Sequence, residues 1–431
     1  MNHRVRAWTA RWGLILPLLV AELTIWIGFG ALLPILPLYF TEHGVDIRTL
    51  GIVVAAWPAA RLVGEPLFGW LADRVPRRPL MVTGLVLASV FTVLPLFVVG
   101  PVAFVIFRAL QGFSTAMYDP AARAYLVDAN PPERQGEAFG IYGSAQTGGF
   151  LLGPAIGGIA AAVTGQPTVV FWIAGITLLV SAFLVFWRVP ELKHLKEPEA
   201  PAVDEPADGA VDRPAWSRPT RLFNVLMLAA LAFTVGTYFA GGSYEVIWSL
   251  YMTSLGATLD VIGLSFFTFG LPPLLLSAFM GRFIDREGGF LAIVIGIAGI
   301  GISGLLYPAI PAVWWMVVLG LFEGTAFAMA MPAIYLLVAR SSPIGRTSTA
   351  QGVLGAAGTI GTIVASISAG LLADVDLRLP FWVTGTVTLV MLVVGLLLGR
   401  RRLYDAMQPR PAMVPAPAVP GVTFDGSADV R

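Results

Sequence analysis

Apolar residues run in long stretches along most of the chain, broken at short intervals by clusters of Arg, Asp, Pro and Gly. A helix needs about 20 predominantly apolar residues to cross a bilayer. Twelve stretches reach that length: 14–40, 49–72, 79–98, 101–127, 136–162, 167–187, 222–251, 259–283, 290–308, 311–338, 347–373 and 380–399. Prolines and glycines fall inside them as well as between them. This suits membrane helices, whose neighbours re-satisfy freed backbone groups. The first stretch follows Arg4, Arg6 and Arg11 and so starts like a signal peptide, but it is too long, contains Glu22 and lacks a small-residue cleavage site. It is read as the first span.

Charge then orients the spans. With the N-terminus inside, 23 of the 27 Lys and Arg fall in inside segments, two (Arg48 and Arg378) in outside loops, and two (Arg61 and Arg108) within spans. The positive-inside rule places both termini in the cytoplasm. Two segments stand apart. Residues 188–221 are rich in Pro, Glu and Asp and read as a flexible cytoplasmic linker, and the chain beyond 400 reads as a disordered cytoplasmic tail. The expected units are a first six-helix bundle over 1–187, the linker 188–221, a second bundle over 222–400 and a tail over 401–431.

Composition removes other classes. The chain is 57% hydrophobic and 12% charged, against roughly 25% charged in soluble domains. A soluble fold of this size could not cover itself with so little polar surface. The net charge of +1 offers no attraction to nucleic acid. There is no cysteine, the three histidines sit in loops or termini, and no GxxxxGK[ST] phosphate loop occurs. No metal, cofactor or enzymatic activity is therefore expected.

The two halves match at one ungapped offset of 212. Tyr39 and Tyr251, Gly51 and Gly263, Gly69 and Gly281, Asp73 and Asp285, Gly112 and Gly324, Pro120 and Pro332, Gly143 and Gly355, and Gly158 and Gly370 all pair in this register. Two parallel six-helix bundles related by an axis along the membrane normal are a transporter architecture, with substrate held near the midplane between them. The expected fold is thus an all-α membrane protein of twelve transmembrane helices in two pseudo-symmetric bundles. Seven ionisable residues lie well inside spans, away from their ends: Glu22, Arg61, Glu65, Arg108, Asp119, Glu245 and Glu323. None has a charged counterpart at the repeat offset, so the duplicated fold does not itself require these charges. Each costs roughly 2.5–3.5 kcal/mol to insert, which pairing or function must offset.

Three motifs carry a family resemblance. Gly69-Trp-Leu-Ala-Asp73-Arg74-Val-Pro-Arg77-Arg78 resembles the loop motif between spans 2 and 3 of the major facilitator superfamily, with Pro76 in place of its second Gly. Arg108-Ala-Leu-Gln111-Gly112 is similar to the superfamily's span 4 motif. Gly149-Phe-Leu-Leu-Gly153-Pro154-Ala-Ile-Gly157-Gly158 resembles the span 5 motif associated with antiporters. Over about residues 14–400 the chain resembles the bacterial twelve-helix drug–proton antiporters, multidrug-resistance exporters of the inner membrane. Glu22-Leu-Thr-Ile-Trp-Ile-Gly28 is similar to a segment of such an antiporter. The second acid that follows eight residues on in that relative is Gly30 here, so a one-acid or redistributed proton site is expected.

The resemblance implies roles for individual residues. Asp73 at the inner end of span 2 would cap span 11, and Arg77 would pair with Asp128, giving with Gly69 and Arg74 a cytoplasmic latch that holds in one state and breaks in the other. Gly149, Gly153, Gly157 and Gly158, with the bend at Pro154, would form a slidable contact between span 5 and the other bundle. Arg108 is always charged and needs an anion, for which Glu22 is the candidate; Asp119 lies about 16 Å further inward along span 4. Glu22, Arg108 and Asp119 are the expected proton-coupling residues. Arg61 and Glu65, four apart on one helical face, are expected to neutralise each other. Trp26, Tyr238, Glu245 and Glu323 are expected to wall a cavity for hydrophobic or amphipathic ligands.

The expected function is export of such small molecules in exchange for protons, by a monomer in a bacterial cytoplasmic membrane, with the substrate, protons and the lipid bilayer as its partners. An exporter of one metabolite or lipid-linked compound shares the same fold and motifs. A non-transporting sensor has less need of seven ionisable groups inside its bundle.

Overall fold

The computed structural model describes residues 12–192, 222–310, 312–343 and 346–408, and these form only helices and connecting turns. Most of the expected linker, the tail beyond Gln408 and the first eleven residues lie outside the described residues. The first span, α1, is two segments, Leu16–Leu32 and Leu36–Glu42, bent by 44°. Pro34 and Pro37 at the break each lack an N–H and clash with the preceding turn. The remaining spans of the first half are α2 (Ile47–Ala72), α3 (Arg77–Val93), α4 (Pro101–Asp128), α5 (Pro132–Thr164) and α6 (Val169–Arg188). Those of the second half are α7 (Val225–Ser254), α8 (Leu259–Glu287), α9 (Phe290–Leu306), α10 (Val313–Ser341), α11 (Thr347–Ala373) and α12 (Leu379–Ala406).

Ten of these are individually long and apolar enough to cross a membrane, and bent α1 makes eleven. The twelfth, α4, carries Arg108, Gln111, Asp119, Arg123 and Asp128, and packs between α2 and α3. The repeat reappears in the packing. In the first half α1 packs on α5 and α6, α4 on α2 and α3, and α3 on α6; in the second, α7 packs on α11 and α12, α10 on α8 and α9, and α9 on α12.

The halves meet through two crossings, α2 with α11 and α5 with α8. Both lie on the side of the molecule away from the described chain ends, Trp12 and Gln408, here called the far side. In the first crossing a Cβ on Gly51 would run into the Ser366 carbonyl, and one on Gly370 would lie 2.8 Å from the Arg48 carbonyl oxygen. In the second, a Cβ on Gly158 would lie 2.6 Å from the Leu259 carbonyl oxygen. Arg48 and Asp374 form an exposed ion pair of 3.3 Å over the first crossing. Asp46, which caps α2 through the N–H and hydroxyl of Thr49, has its carboxyl held below the usual carboxylate range by those two bonds.

Toward the termini the halves separate. One apolar core on the far side draws on both halves, including Tyr39, Phe40, Phe104 and Phe171 with Trp248, Tyr251, Tyr307 and Phe381. On the terminal side each half has its own core, around Trp12, Met81, Tyr118 and Tyr125 in the first and Met227, Phe233, Ile334 and Leu403 in the second. There a Cβ on Gly140, Gly143, Gly281, Gly352 or Gly355 would meet nothing within 4 Å. The molecule is closed on the far side and parted on the terminal side.

A larger side chain at a far-side crossing should disfavour this state. Gly158→Val overpacks a backbone contact, at about 1–3 kcal/mol, which shifts the open–closed balance by roughly five- to 150-fold. The chain has no cysteine of its own, so cysteines placed at 48 and 374 report closure. A short bis-maleimide should join them efficiently in the parent and slowly in Gly158→Val; equal rates would remove the crossing from the closure energetics.

Candidate functional site

The buried charges sort into three groups, one in each half and one between them. The first centres on Glu22 of α1, fully buried. Its carboxylate accepts from the Trp26 indole Nε1 at 2.9 Å, the Tyr118 hydroxyl of α4 at 2.7 Å and Gln146 Nε2 of α5 at 2.6 Å, and the buried Tyr142 hydroxyl also faces it. All of these donors are neutral. Next to it Arg61 of α2 is ion-paired with both Glu65, one turn along, and Asp119 of α4. The expected Arg61–Glu65 pair is therefore part of a triad in which one guanidinium serves two carboxylates.

The second group joins the halves. Arg108, 3% exposed, donates to Gln111 at 2.8 Å and to Glu245 of α7 at 3.3 Å. The expectation that Arg108 faces Glu22 is corrected here. The α4 residue that reaches Glu22 is Tyr118, ten residues further toward the terminal side, or about 15 Å along the helix. Gln111 in turn donates to Thr92 at 2.6 Å. The guanidinium carbons of Arg61 and Arg108 lie 4.7 and 5.8 Å from the Trp57 ring, and Phe29 packs on that ring at 5.0 Å. A cavity of about 10 Å³ beside the Arg108–Glu245 pair is lined by Phe29, Leu32, Leu33 and Leu36. It has room for one water and none for an organic substrate.

The third group surrounds Glu323 of α10, 2% exposed. The Tyr307 hydroxyl donates to it at 2.7 Å, and Tyr244, which packs on Tyr307 and Trp248, faces it. The sequence places Phe322 and Phe327 nearest to Glu323. In the structure Phe322 points outward and Phe327 packs on Phe269 of α8. Tyr238 lies over Gly358 of α11 and beside Tyr335, within the second half. Trp26 lies over Gly149 and stacks edge-on with Phe29 and Phe150.

The glycine motif of α5 divides its work, which corrects the expectation of one sliding face toward the other bundle. Gly149, Gly153 and Gly157 pack against Leu23, Trp26, Ile27, Gly30 and Ala31 of α1, in their own half. Of these four glycines Gly158 alone, with the Pro154 carbonyl and the Leu151 side chain beside it, meets α8 across the interface. The stripe at four-residue spacing faces one neighbour, and the next residue, about 100° round the helix, faces another.

At the terminal side Arg77 is ion-paired with Asp128. Arg74 lies 4.0 Å over the Trp70 ring and donates to the Trp70 carbonyl at 2.9 Å. Asp73, at the C-terminal end of α2, is exposed, and Gly69 has only Pro120 near it. In this state Asp73 and Gly69 therefore stand clear of α11. One participant escaped the sequence reading: Glu191, just past α6, accepts from the backbone N–H groups of Arg77 and Arg78 at 2.9 and 3.1 Å and so caps α3. Its Pro-Glu setting at the start of an acidic linker conceals it.

The sequence pattern of the Major Facilitator Superfamily matches residues 18–246 and 234–424, two overlapping matches that together cover most of the chain. The chain belongs to the major facilitator superfamily. This is a family of membrane transporters and not of enzymes, and the chain is a multi-pass membrane protein of that fold. It is 26% identical over 386 residues to the quinolone resistance protein NorA of Staphylococcus aureus, covering 86% of this chain and 93% of that one. It is 24% identical over 358 residues to an uncharacterized MFS-type transporter of Methanocaldococcus jannaschii, covering 83% and 90%. Among solved structures, a bacterial homolog of the human lysosomal transporter Spinster, in an inward-facing and occupied conformation, superposes with a TM-score of 0.75 at 16% identity, covering 94% of this chain and 99% of that one. A D-xylose–proton symporter superposes with a TM-score of 0.67 at 17% identity, covering 89% and 96%. At these identities the structural likenesses establish the fold alone.

Proposed function

We propose that this superfamily member is a proton-coupled exporter of hydrophobic and amphipathic small molecules, working as a monomer by alternating access in a bacterial cytoplasmic membrane. The observation that carries the reading is Glu22, a fully buried carboxyl group whose hydrogen bonds all come from neutral donors. An isolated carboxylate ion is far more costly to bury than the neutral acid, so such a group gains and loses a proton as water access changes. Arg108 and Asp119 set the field around the transport path from within their own ion pairs. The likeness to a quinolone resistance protein supports drug-like substrates, and Trp26, Tyr238, Glu245 and Glu323 are the polar and aromatic groups that meet them.

The 23-to-2 excess of Lys and Arg favours cytoplasmic termini. The parted terminal side is then the cytoplasmic side, and the state is inward-facing. In the opposite state the far-side crossings part and the open glycines Gly69, Gly143, Gly281 and Gly355 become the contacts. Asp73 then caps α11, and Arg74 with the Arg77–Asp128 pair braces the latch. The test is uptake of a fluorescent quinolone into inverted proteoliposomes carrying an imposed proton gradient. Accumulation that collapses on adding an uncoupler is the expected result, and accumulation against a concentration gradient that survives the uncoupler would overturn proton coupling.

A further inference from the structure

The carboxylates within the spans divide by their partners. Glu65 and Asp119 share Arg61, and Glu245 has Arg108. Glu22 and Glu323 are the two, among the described residues, that are fully buried and hydrogen-bonded by neutral groups alone. We propose that Glu323 is a second proton site, so that each turnover carries two protons, one on Glu22 in the first half and one on Glu323 in the second. This rests on the proton-coupled reading above and adds its stoichiometry.

The surroundings support the assignment. Around Glu22 the charged and titratable groups are Arg61 on α2, Tyr118 and Asp119 on α4, and Tyr142 on α5. Arg61 acts on Glu22 through space but spends its hydrogen bonds on Glu65 and Asp119, and the Asp119 charge opposes it. Among the described residues, the titratable groups that act on Glu323 are the hydroxyls of Tyr307 and Tyr244, both neutral. A tyrosine hydroxyl donates to a carboxylate and can turn to accept from the protonated acid, so both forms are satisfied at each site. Glu245 lacks this freedom, because protonating it strands the Arg108 guanidinium.

Their depths also differ. Tyr118 and Tyr142 belong to the terminal-side core of the first half. Tyr307 and Trp248 belong to the far-side core that seals the two halves together, and Tyr244 packs against it. Parting of the far side opens the second site directly. The repeat partner of Glu323 is Gln111, bonded to Arg108, so this carboxyl is a feature of the second half alone.

The test measures the substrate gradient that just balances a fixed proton gradient, in proteoliposomes clamped at zero membrane potential, with a fluorescent quinolone as probe. With two protons exchanged per net-neutral quinolone, a tenfold proton gradient holds about a hundredfold substrate gradient; with one it holds about tenfold. The wild type should give the hundredfold value and Glu323→Gln the tenfold value. A tenfold value in the wild type overturns the second site and leaves proton coupling intact, whereas no gradient at all removes the coupled reading itself. Infrared spectra of the purified protein cover the case in which Glu323→Gln fails to transport. A protonated-carboxyl band should disappear in that variant and a different one in Glu22→Gln. No band lost in Glu323→Gln overturns the inference.

Discussion

Glu22→Gln should insert, fold and still move substrate, while the proton carried at this site and its share of the uphill drive are lost. The substitution keeps the shape of the side chain. Gln retains an acceptor for Trp26 and Gln146, and the Tyr118 hydroxyl can turn to accept from the new amide, so the loss of stability should stay near 1 kcal/mol. Ala would serve less well, because it strands buried donors at about 1–3 kcal/mol each. What Gln removes is the exchangeable proton. A membrane potential of 100 mV supplies about 2.3 kcal/mol per charge, roughly a fiftyfold gradient, and each proton no longer carried forfeits that much. Accumulation in energised inverted vesicles should therefore fall about fiftyfold at 100 mV, to the level that the Glu323 proton alone sustains, and toward unity when Glu323→Gln is added, with counterflow of labelled substrate preserved. If the variant concentrates substrate and drives proton flux like the wild type, Glu22 is not the coupling acid.

Much of the fold is legible in the sequence because it depends on regularities along one chain. The span lengths follow from apolar runs. The 212-residue register anticipates that every packing pair in the first half recurs in the second. The break in α1 is written in Pro34 and Pro37, a local signal easily overlooked inside an apolar run. Partners across helices are harder to read. Glu22 is satisfied by Tyr118 and Gln146, about one hundred residues or more away, and nothing in the spacing of those residues marks them. Gly149, Gly153 and Gly157 show that a helix needs a close neighbour without naming it, and the neighbour is α1. The pairing of Arg77 with Asp128 was accessible only through the resemblance, because the two lie on different helices. The partner of Arg108 is set by how the two halves sit against each other, which no local pattern encodes. The conformational state is likewise hidden, since the same glycines serve as contacts in one state and as open faces in the other.

Arg108→Ala should lower thermal stability in detergent and abolish transport, and Glu245→Ala should do nearly the same, whereas the double replacement should recover much of the stability. Removing one member of a buried ion pair leaves the other charge without compensation, which costs about 3–5 kcal/mol; removing both deletes the liability along with the attraction. Arg108 is 4% and Glu245 17% exposed at the side chain, so water compensates either one poorly. Because the pair spans the two halves, the penalty falls on the closed far side more than on either bundle. Each single variant should therefore also slow crosslinking between positions 48 and 374, where the parent carries the exposed pair over the α2–α11 crossing. Arg108→Lys should not rescue function, since a single ammonium cannot reproduce the fork that holds Gln111 at 2.8 Å and Glu245 at 3.3 Å together. The decisive quantity is the coupling energy from the double-mutant cycle, read from unfolding midpoints and from closure rates. A cycle that closes additively in both would mean that Arg108 and Glu245 act independently. A coupling of a kilocalorie or more would place the pair among the contacts that each transport cycle must break and remake.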